Sequence, residues 1–423
     1  MYEKMKKQIS LFEKQIVDEK LRKMFHNCFY NTLDTTVEYL DNDEVYLLTG
    51  DIPAMWLRDS SASVIQYLDF VGVDEDIYRL IRGLIKRQFF YINIDPYSNS
   101  FNKEPNGAGH VNDLGLRTPY TWERKFEIDS LCYPISLIYK TYMLTKDKSL
   151  LDDLFVKTCR TIVNVFKIEQ NHHKLSSYYH YREGEKEGFN IPNNGKGGKI
   201  NDTGMIWSGY RPSDDACKYG FFIPGNMFAV VSLKHMGELL KEINQTELAN
   251  EAIDLMNEID LGIKKYGIVN HEKYGKIYAY ETDGFDNYLL MDDANVPSLL
   301  SIPYFNYLDV SDELYQNTRK YCLSEDNPYY FRGKVLSGIG SPHTPKGYVW
   351  HIGVTLQALT TNDVKEKEKL IKMIINSDAN TLYTHEGVHK DDEEKYTRPW
   401  FAWSNSLFSY LILNSKEIVC GGN

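Results

Sequence analysis

Two adjacent aspartates lie in a long connecting segment and could perform acid–base chemistry. Asp214 and Asp215 follow Arg211 and Ser213 in "NDTGMIWSGYRPSDDACKYGFF", residues 201–222. Neighbouring carboxyls disfavour each other's ionisation, so one of them can keep its proton near neutral pH, as a proton donor must. The alternative is that Ser213 caps a helix whose dipole interacts with both carboxylates. The length of the segment favours the chemical interpretation.

A third carboxyl group belongs to "HEGVH", residues 385–389. The motif has the form H-E-x-x-H of zinc peptidases, with His385 and His389 as ligands and Glu386 as the base. Such a site requires both histidines one turn apart on a stable helix. Gly387 interrupts the motif, and no helix with an apolar stripe surrounds it. We therefore predict no metal and no cofactor, and keep a zinc metallopeptidase as an alternative.

Glu386 is still a candidate for chemistry because Arg398, Trp400 and Trp403 follow it closely. A proton-donating aspartate and a separate glutamate would form the carboxyl pair that hydrolyses glycosidic bonds. One group protonates the glycosidic oxygen, and the other attacks the anomeric carbon or activates a water molecule. Both outcomes stay open, because the distance between the two carboxyl groups decides between them.

Other polar and aromatic residues are candidates for binding a ligand. The stretch "TGDIPAMWLRDSS", residues 49–61, places two carboxylates, an indole and a guanidinium immediately before a predicted helix. A structural Arg58–Asp59 ion pair at the start of that helix is the competing interpretation. The full set of candidates is Asp51, Trp56, Arg58, Asp59, Trp122, Glu127, Arg211, Asn226, His343 and Trp403.

Composition narrows the class of partner. The 423 residues carry a formal net charge of −11, with no basic stripe, which argues against nucleic acid. Tyrosine is abundant, at 32 residues, and flat rings with one polar edge suit sugars. Six widely spaced cysteines and the absence of an apolar leader or membrane-length run predict a cytoplasmic protein without a membrane partner.

The elements that must position these residues are helical. Apolar residues recur at helical spacing in about a dozen segments, and long connections alternate with short ones. This alternation predicts helical hairpins in a ring with the long loops on one face, within one domain spanning residues 1–423. The predicted helical segments are 4–40, 74–92, 129–144, 148–168, 224–243, 246–263, 295–309, 311–322, 348–361, 363–377 and 403–414.

Taken together, the chain resembles glycoside hydrolase family 125, the exo-acting α-1,6-mannosidases. The blocks that carry the resemblance extend from about residue 49 to 407 and are "GDIPAMWLRDS", "KRQFFYINIDPYSNSFN", "TWERKFEIDSLCYP", "SGYRPSDDA", "IPGNMF", "MDDANVPSLL", "GSPHTPKGYVWHI", "HEG" and "YTRPWFAWSNSLF". It implies an all-α (α/α)6 six-hairpin barrel. It also implies metal-independent removal of single mannose units from mannosides or N-glycan fragments, with inversion.

Carried onto this sequence, the resemblance places the general acid on the aspartate pair and the general base on Glu386. Asp214 is the favoured acid, with Asp215 as the alternative. It further implies that the residues of 49–61 line the end of the barrel where the terminal mannose binds. A non-catalytic mannoside-binding barrel and a phosphorylase are the remaining alternatives.

Overall fold

The computed structural model describes residues 1–185 and 188–421, and antiparallel pairs of helices dominate it. The α-helices are α1 (Glu3–Glu13), α2 (Glu19–Thr35), α3 (Leu57–Ala62), α4 (Glu75–Ile94), α5 (Ile128–Thr145), α6 (Asp153–Gln170), α7 (His172–Leu175), α8 (Pro192–Gly195), α9 (Ile223–Glu242), α10 (Thr246–Tyr266), α11 (Glu313–Cys322), α12 (His351–Leu359), α13 (Val364–Ile375), α14 (Ala402–Leu413) and α15 (Lys416–Val419). Short 3-10 helices cover Asp41–Asp43, Ile65–Phe70 and Lys148–Leu150.

Six hairpins form the predicted (α/α)6 barrel. The inner ring consists of α3 with the 3-10 helix that follows it, α5, α9, the turns of 295–305, α12 and α14. The outer ring consists of α4, α6, α10, α11, α13 and α2, each packed on an inner partner or its neighbour. The expected fold is therefore confirmed, and no helix in the described part of the chain could cross a bilayer.

The sequence separates inner from outer helices by their polarity. Residues 402–409 of α14 are all buried, and its small polar side chains satisfy one another or the backbone: Ser406 Oγ donates to the Ser63 carbonyl at 2.8 Å. The outer helix α4 instead buries one stripe, which includes Ile77, Ile81 and Leu84. A helix that is buried on all sides lies in the centre, whereas a helix with one apolar stripe covers it.

The predicted helix over 295–309 is wrong. This segment forms consecutive turns and bends between strand β12 and helix α11. Pro297 and Pro303 lack the N–H groups that a helix needs. The Asp292 carboxylate instead accepts hydrogen bonds from the N–H groups of Leu299 and Leu300, at 2.8 and 3.0 Å. The apolar spacing here reflects burial of the turns.

Every long connection joins the end of an outer helix to the start of an inner one, so these connections share one face of the barrel. Small antiparallel sheets stiffen them. The pairings are β1–β2 (Val37–Tyr39, Val45–Leu47), β3–β4–β6 (Met55–Trp56, Ser100–Phe101, Thr121–Glu123), β5–β7 (Asp113–Leu114, Tyr181–Arg182), β8–β11–β12 (Phe221–Phe222, Glu281–Thr282, Tyr288–Leu289), β9–β10 (Ile268–His271, Gly275–Tyr278), β13–β14 (Tyr330–Phe331, Gly338–Ile339) and β15–β16–β17 (Tyr348–Trp350, Gly387–His389, Asp392–Tyr396).

Candidate active site

An open cavity of about 840 Å³ lies at the loop-bearing end of the barrel. The N-terminal ends of the inner helices point towards it, so residues distant in sequence meet there. The cavity is lined by Thr49, Asp51, Ile52, Trp56, Arg58, Asp59, Pro212, Ser213, Asp214, Asn295, His343, Trp350, Glu386, Arg398, Phe401 and Trp403. The structure thus brings together eight predicted site residues.

Arg58, in the first turn of α3, is the charged centre of one wall. Its Nη1 lies 2.6 Å from Glu127 Oε2 and 3.1 Å from Asp129 Oδ2. Its Nε lies 3.5 Å from Asp59 Oδ2, and its Nη2 lies 3.8 Å from Asp214 Oδ1. The guanidinium is 3% exposed, so the pairs are screened little by water. One positive charge therefore faces four carboxyl groups.

This imbalance favours protonation within the cluster. Burial raises the pKa of Glu127 well above its usual range, and Asp214 and Asp129 add to the rise while Arg58 opposes it. Burial also raises the pKa of Asp129 to about 6 and raises the pKa of Asp59. A buried site that cannot neutralise every carboxylate keeps some of them protonated. The wall can therefore retain a proton near neutral pH.

The structure distinguishes the two adjacent aspartates. Asp214 lines the cavity, its side chain is 25% exposed, and its Oδ1 accepts a hydrogen bond from Asn99 Nδ2 at 3.1 Å. Its φ of 66° is in the left-handed region, which a non-glycine residue adopts at a cost. Lys125 Nζ donates to its carbonyl at 2.9 Å and holds that conformation. This backbone turn points the carboxyl group into the cavity.

Asp215 lies behind the cavity wall. Its side chain is 5% exposed, and its Oδ2 accepts a hydrogen bond from Ser213 Oγ at 2.9 Å. Ser213 is therefore not a helix cap, which corrects that interpretation: its segment forms turns, and α9 begins only at Ile223. Asp215 Oδ1 lies 3.4 Å from His343 Nδ1. Asp215 thus supports its neighbours and does not face the cavity.

His343 lines the cavity and is influenced by carboxylates on both walls. Burial opposes its protonated form, but the hydrogen bond to Asp215 and the charges of Asp215, Asp214 and Glu386 raise its pKa to about 9. His343 is therefore positively charged at neutral pH.

Glu386 occupies the other wall, immediately before β16. Its Oε2 accepts a hydrogen bond from Thr397 Oγ1 at 3.0 Å, and its Oε1 lies 3.8 Å from Arg398 Nη1. Burial raises the pKa of Glu386, while Arg398, His343 and Thr397 limit the rise. Glu386 is therefore a stronger base than an exposed carboxylate, and its positive neighbours favour its ionised form.

Arg398 joins two distant segments of the chain at the rim of the cavity. Its Nε and Nη2 both bind Asp51 Oδ1, at 3.0 and 2.5 Å, and its guanidinium stacks 4.2 Å from the centre of the Phe401 ring. Gly50 pairs with Phe401 directly beside it. A Cβ at Gly50 would lie 2.5 Å from the Trp400 carbonyl oxygen, so only glycine allows this approach.

The zinc-peptidase alternative for "HEGVH" is wrong. Gly387–His389 is strand β16, so the two histidines do not share a helix face. His385 is buried, with Nε2 2.9 Å from Thr381 Oγ1 and Nδ1 3.2 Å from the Arg398 carbonyl. In residues 1–185 and 188–421, no group of three or more His, Cys, Asp and Glu side chains is arranged to hold a metal ion.

Four predicted ligand-binding residues lie outside the cavity lining. Both the Asn226 Nδ2 and Oδ1 atoms bind the backbone of Ile206, at 3.0 and 2.7 Å, so this residue joins a loop to α9. Arg211 Nε donates to the buried Glu281 at 2.6 Å. Glu127 lies under Arg58, and Trp122 belongs to β6.

Several lining residues were not among the predicted site residues. Arg398 and Phe401 were missed because each reaches the cavity through a contact with a distant segment. Arg398 pairs with Asp51 and Phe401 pairs with Gly50, each about 350 residues away in the sequence. Asn99 lies just behind the lining, where it donates to Asp214. The only sequence signal for these residues is their position in long connections rich in Trp, Asn and Arg.

Comparisons with known proteins agree on one family. The family pattern described as metal-independent α-mannosidase, GH125, matches residues 18–413. A meiotically up-regulated gene 157 protein of Schizosaccharomyces pombe is 38% identical over 428 residues, covering 96% of this chain and 84% of that protein.

Solved structures show the same relationship. A metal-independent α-mannosidase of Streptococcus pneumoniae, in a non-productive substrate complex with α-1,6-mannobiose, is 41% identical with a TM-score of 0.96, over 98% of both chains. A bacterial glucoamylase complexed with acarbose shares the fold alone: 11% identity and a TM-score of 0.55, over 87% of this chain and 49% of that one.

Proposed function

The chain belongs to glycoside hydrolase family 125, the metal-independent α-mannosidases, and from this premise we propose that it removes single α-1,6-linked mannose units from the non-reducing ends of mannosides, with inversion. The complex of the Streptococcus pneumoniae relative with α-1,6-mannobiose supports this linkage. The observation that carries the proposal is that Asp214 and Glu386 line the same cavity.

We assign the general acid to Asp214. It lines the cavity, whereas Asp215 is committed to Ser213 and His343 behind the wall. The surplus of carboxyl groups around Arg58 favours retention of a proton on that wall. Asp214 delivers this proton to the glycosidic oxygen as the bond to the leaving sugar breaks.

Glu386 acts as the general base. It removes a proton from a water molecule, which attacks the anomeric carbon from the face opposite the leaving group. Thr397 and Arg398 hold its two oxygens, and burial increases its basicity. Because the water attacks from that opposite face, the released mannose has the β configuration.

The terminal mannose binds against the start of α3. Asp59 accepts hydrogen bonds from sugar hydroxyls, and Arg58 holds its carboxylate. Trp56 and Trp403 provide apolar walls for the C–H faces of the ring. The Asp51–Arg398 pair closes one side of the rim, so the cavity accepts a chain end better than a chain interior, which supports exo action.

NMR of freshly released sugar from α-1,6-mannobiose tests this proposal. β-Mannose is expected first, and α-mannose first would contradict inversion. Asp214→Asn and Glu386→Gln are expected to be almost inactive, whereas Asp215→Asn retains measurable activity. An inactive Asp215→Asn beside an active Asp214→Asn would transfer the acid to Asp215.

We also propose that residues 1–423 work as one catalytic domain in the cytoplasm. The six cysteines are unpaired and five of them are buried, which is typical of proteins kept in a reducing compartment. Localisation of a tagged full-length chain tests this; a secreted product would contradict it.

A further inference from the structure

Asn99 lies fully buried behind the acidic wall of the active site. It directly precedes β4, whose Ser100 pairs with Trp56 on one side and with Glu123 on the other. The Asn99 carbonyl accepts a hydrogen bond at 3.1 Å from the N–H of Leu57, the first residue of α3. The sheet β3–β4–β6 therefore fixes the backbone of Asn99 beside the start of α3.

The side-chain amide of Asn99 faces three carboxyl groups. Its Nδ2 lies 3.1 Å from Asp214 Oδ1, 3.2 Å from Glu123 Oε2 and 3.5 Å from Glu127 Oε1. On its other side, Asn99 Oδ1 accepts a hydrogen bond from the Lys125 N–H at 3.3 Å. A flipped amide would turn an acceptor towards the carboxyl groups, so these contacts determine its orientation. The amide therefore donates to the acidic wall.

The contact with Asn99 makes the two oxygens of the Asp214 carboxyl group different. Oδ1 accepts the hydrogen bond from Asn99, and the guanidinium of Arg58 lies 3.8 Å from the same oxygen. A proton on Oδ1 would point towards these N–H donors, whereas an unprotonated oxygen accepts from them. The proton of the Asp214 carboxyl group is therefore favoured on Oδ2.

We propose that Asn99 is a positioning residue for the general acid: its amide holds Asp214 Oδ1 and thereby keeps the transferable proton on Oδ2. This inference rests on the proposed mannosidase function. As the proton passes from Oδ2 to the glycosidic oxygen, the bond from that oxygen to the anomeric carbon breaks. The electron pair of the O–H bond stays on the Asp214 carboxylate, where the Asn99 N–H stabilises the negative charge.

Asn102, three residues further along the chain, provides a matched control. It is 3% exposed, and its Nδ2 lies 3.0 Å from the Ala108 carbonyl oxygen and 3.5 Å from that of Pro119. These contacts hold the backbone of one connection together. Loss of the Asn102 amide therefore removes a buried side-chain donor from the same segment without removing one from Asp214.

Steady-state kinetics on α-1,6-mannobiose and on a dinitrophenyl mannoside, whose leaving group needs no proton, test this role. Asn99→Leu keeps a branched side chain without the amide. It is expected to lower kcat on α-1,6-mannobiose about 10- to 100-fold, because a hydrogen bond to a charged group is lost. On the dinitrophenyl mannoside its kcat should stay within about threefold of the wild type, which also verifies folding. Asn102→Leu should change both rates by the same small factor.

A second variant keeps the test decisive if Asn99→Leu does not fold, since that change also leaves Glu123 without its amide donor. Asn99→Ser leaves space that water can fill, so Glu123 is hydrated while Asp214 loses its fixed donor. The same dependence on the leaving group is expected. Combined with Asp214→Asn, Asn99→Ser should cause no further loss on α-1,6-mannobiose, because its effect depends on the acid.

Equal rate changes on both substrates in an Asn99 variant, or unchanged rates on both, would overturn the role of Asn99. So would an additive loss when Asn99→Ser is combined with Asp214→Asn. Asp214→Asn alone separates this proposal from the proposed function. If Asp214→Asn loses rate equally on both substrates, the acid assignment is wrong and the role of Asn99 with it. If Asp214→Asn depends on the leaving group and the Asn99 variants do not, only the role of Asn99 is wrong.

Discussion

The two walls of the active-site cavity place their carboxyl groups in different charge environments. Around Arg58, four carboxyl groups share one guanidinium. Around Glu386, the positive charges of Arg398 and His343 oppose the rise in pKa that burial causes, although Arg398 also pairs with Asp51 and His343 with Asp215. The first wall therefore favours protonation of its carboxyl groups, whereas two cations limit the rise in the Glu386 pKa on the second. The proposed acid and base are both carboxyl groups, and the charged residues around each one determine which role it takes.

Removal of the acid should have the largest effect, and one that depends on the leaving group. Asp214→Asn is expected to lower kcat on α-1,6-mannobiose about 10³-fold, within the range for general acids. A mannoside whose leaving group needs no proton, such as a dinitrophenyl mannoside, should regain most of the rate. Steady-state kinetics on both substrates measure this. Equal losses on both would show that Asp214 does not donate the proton.

The loss of rate caused by removal of the base should not depend on the leaving group. Glu386→Gln is expected to lower kcat by a similar factor of about 10³ on both substrates, because each needs an activated water. The two variants together compare the walls directly. Full activity of Glu386→Gln on the dinitrophenyl mannoside would show that Glu386 is not the general base.

Arg58→Met leaves four carboxyl groups without their cation. The free energy of unfolding is expected to fall by about 3–5 kcal/mol, as for other broken buried ion pairs. The loss should be smaller at pH 5 than at pH 8, because protonation then neutralises the carboxyls. Urea titration at both pH values measures it; an equal loss at both would contradict the charge imbalance.

Arg398→Met should affect the base rather than the stability of the core. Without that guanidinium, the pKa of Glu386 rises further, so the base becomes protonated at higher pH. The acidic limb of the kcat/KM profile is therefore expected to move upward by about one pH unit. Arg398→Lys, which retains the charge, is the matched control. An unmoved limb in the Met variant would contradict the coupling.

His343→Gln is expected to have the smallest effect. The folded-state pKa of about 9 exceeds the unfolded value near 6.5, so its contribution to stability is complete below pH 6.5. That contribution is lost as pH rises towards 9. Because the side chain is partly exposed, about 1 kcal/mol is expected after solvent screening. A wild-type slope between pH 6.5 and 9 that persists in the variant would contradict it.

The amino-acid sequence determined the helices and much of the candidate site. Apolar spacing predicted α4, α5, α9, α10, α13 and α14 to within a few residues, since that spacing records which face of each helix is buried. The helix prediction failed over residues 295–309. Prolines there lack the N–H groups of a helix and the Asp292 carboxylate binds the backbone, so the segment forms turns despite its apolar spacing. Residue types in long connections indicated Asp214, Glu386 and the 49–61 stretch.

Tertiary structure alone decided which of these residues face one another. A left-handed φ turns Asp214 into the cavity and leaves Asp215 behind it. Likewise, only the fold shows that Asn226 hydrogen-bonds to the Ile206 backbone and that Arg398 pairs with Asp51. The spacing of apolar residues along one helix or strand shows which of its faces is buried. The charge and shape of a cavity depend instead on contacts between elements hundreds of residues apart.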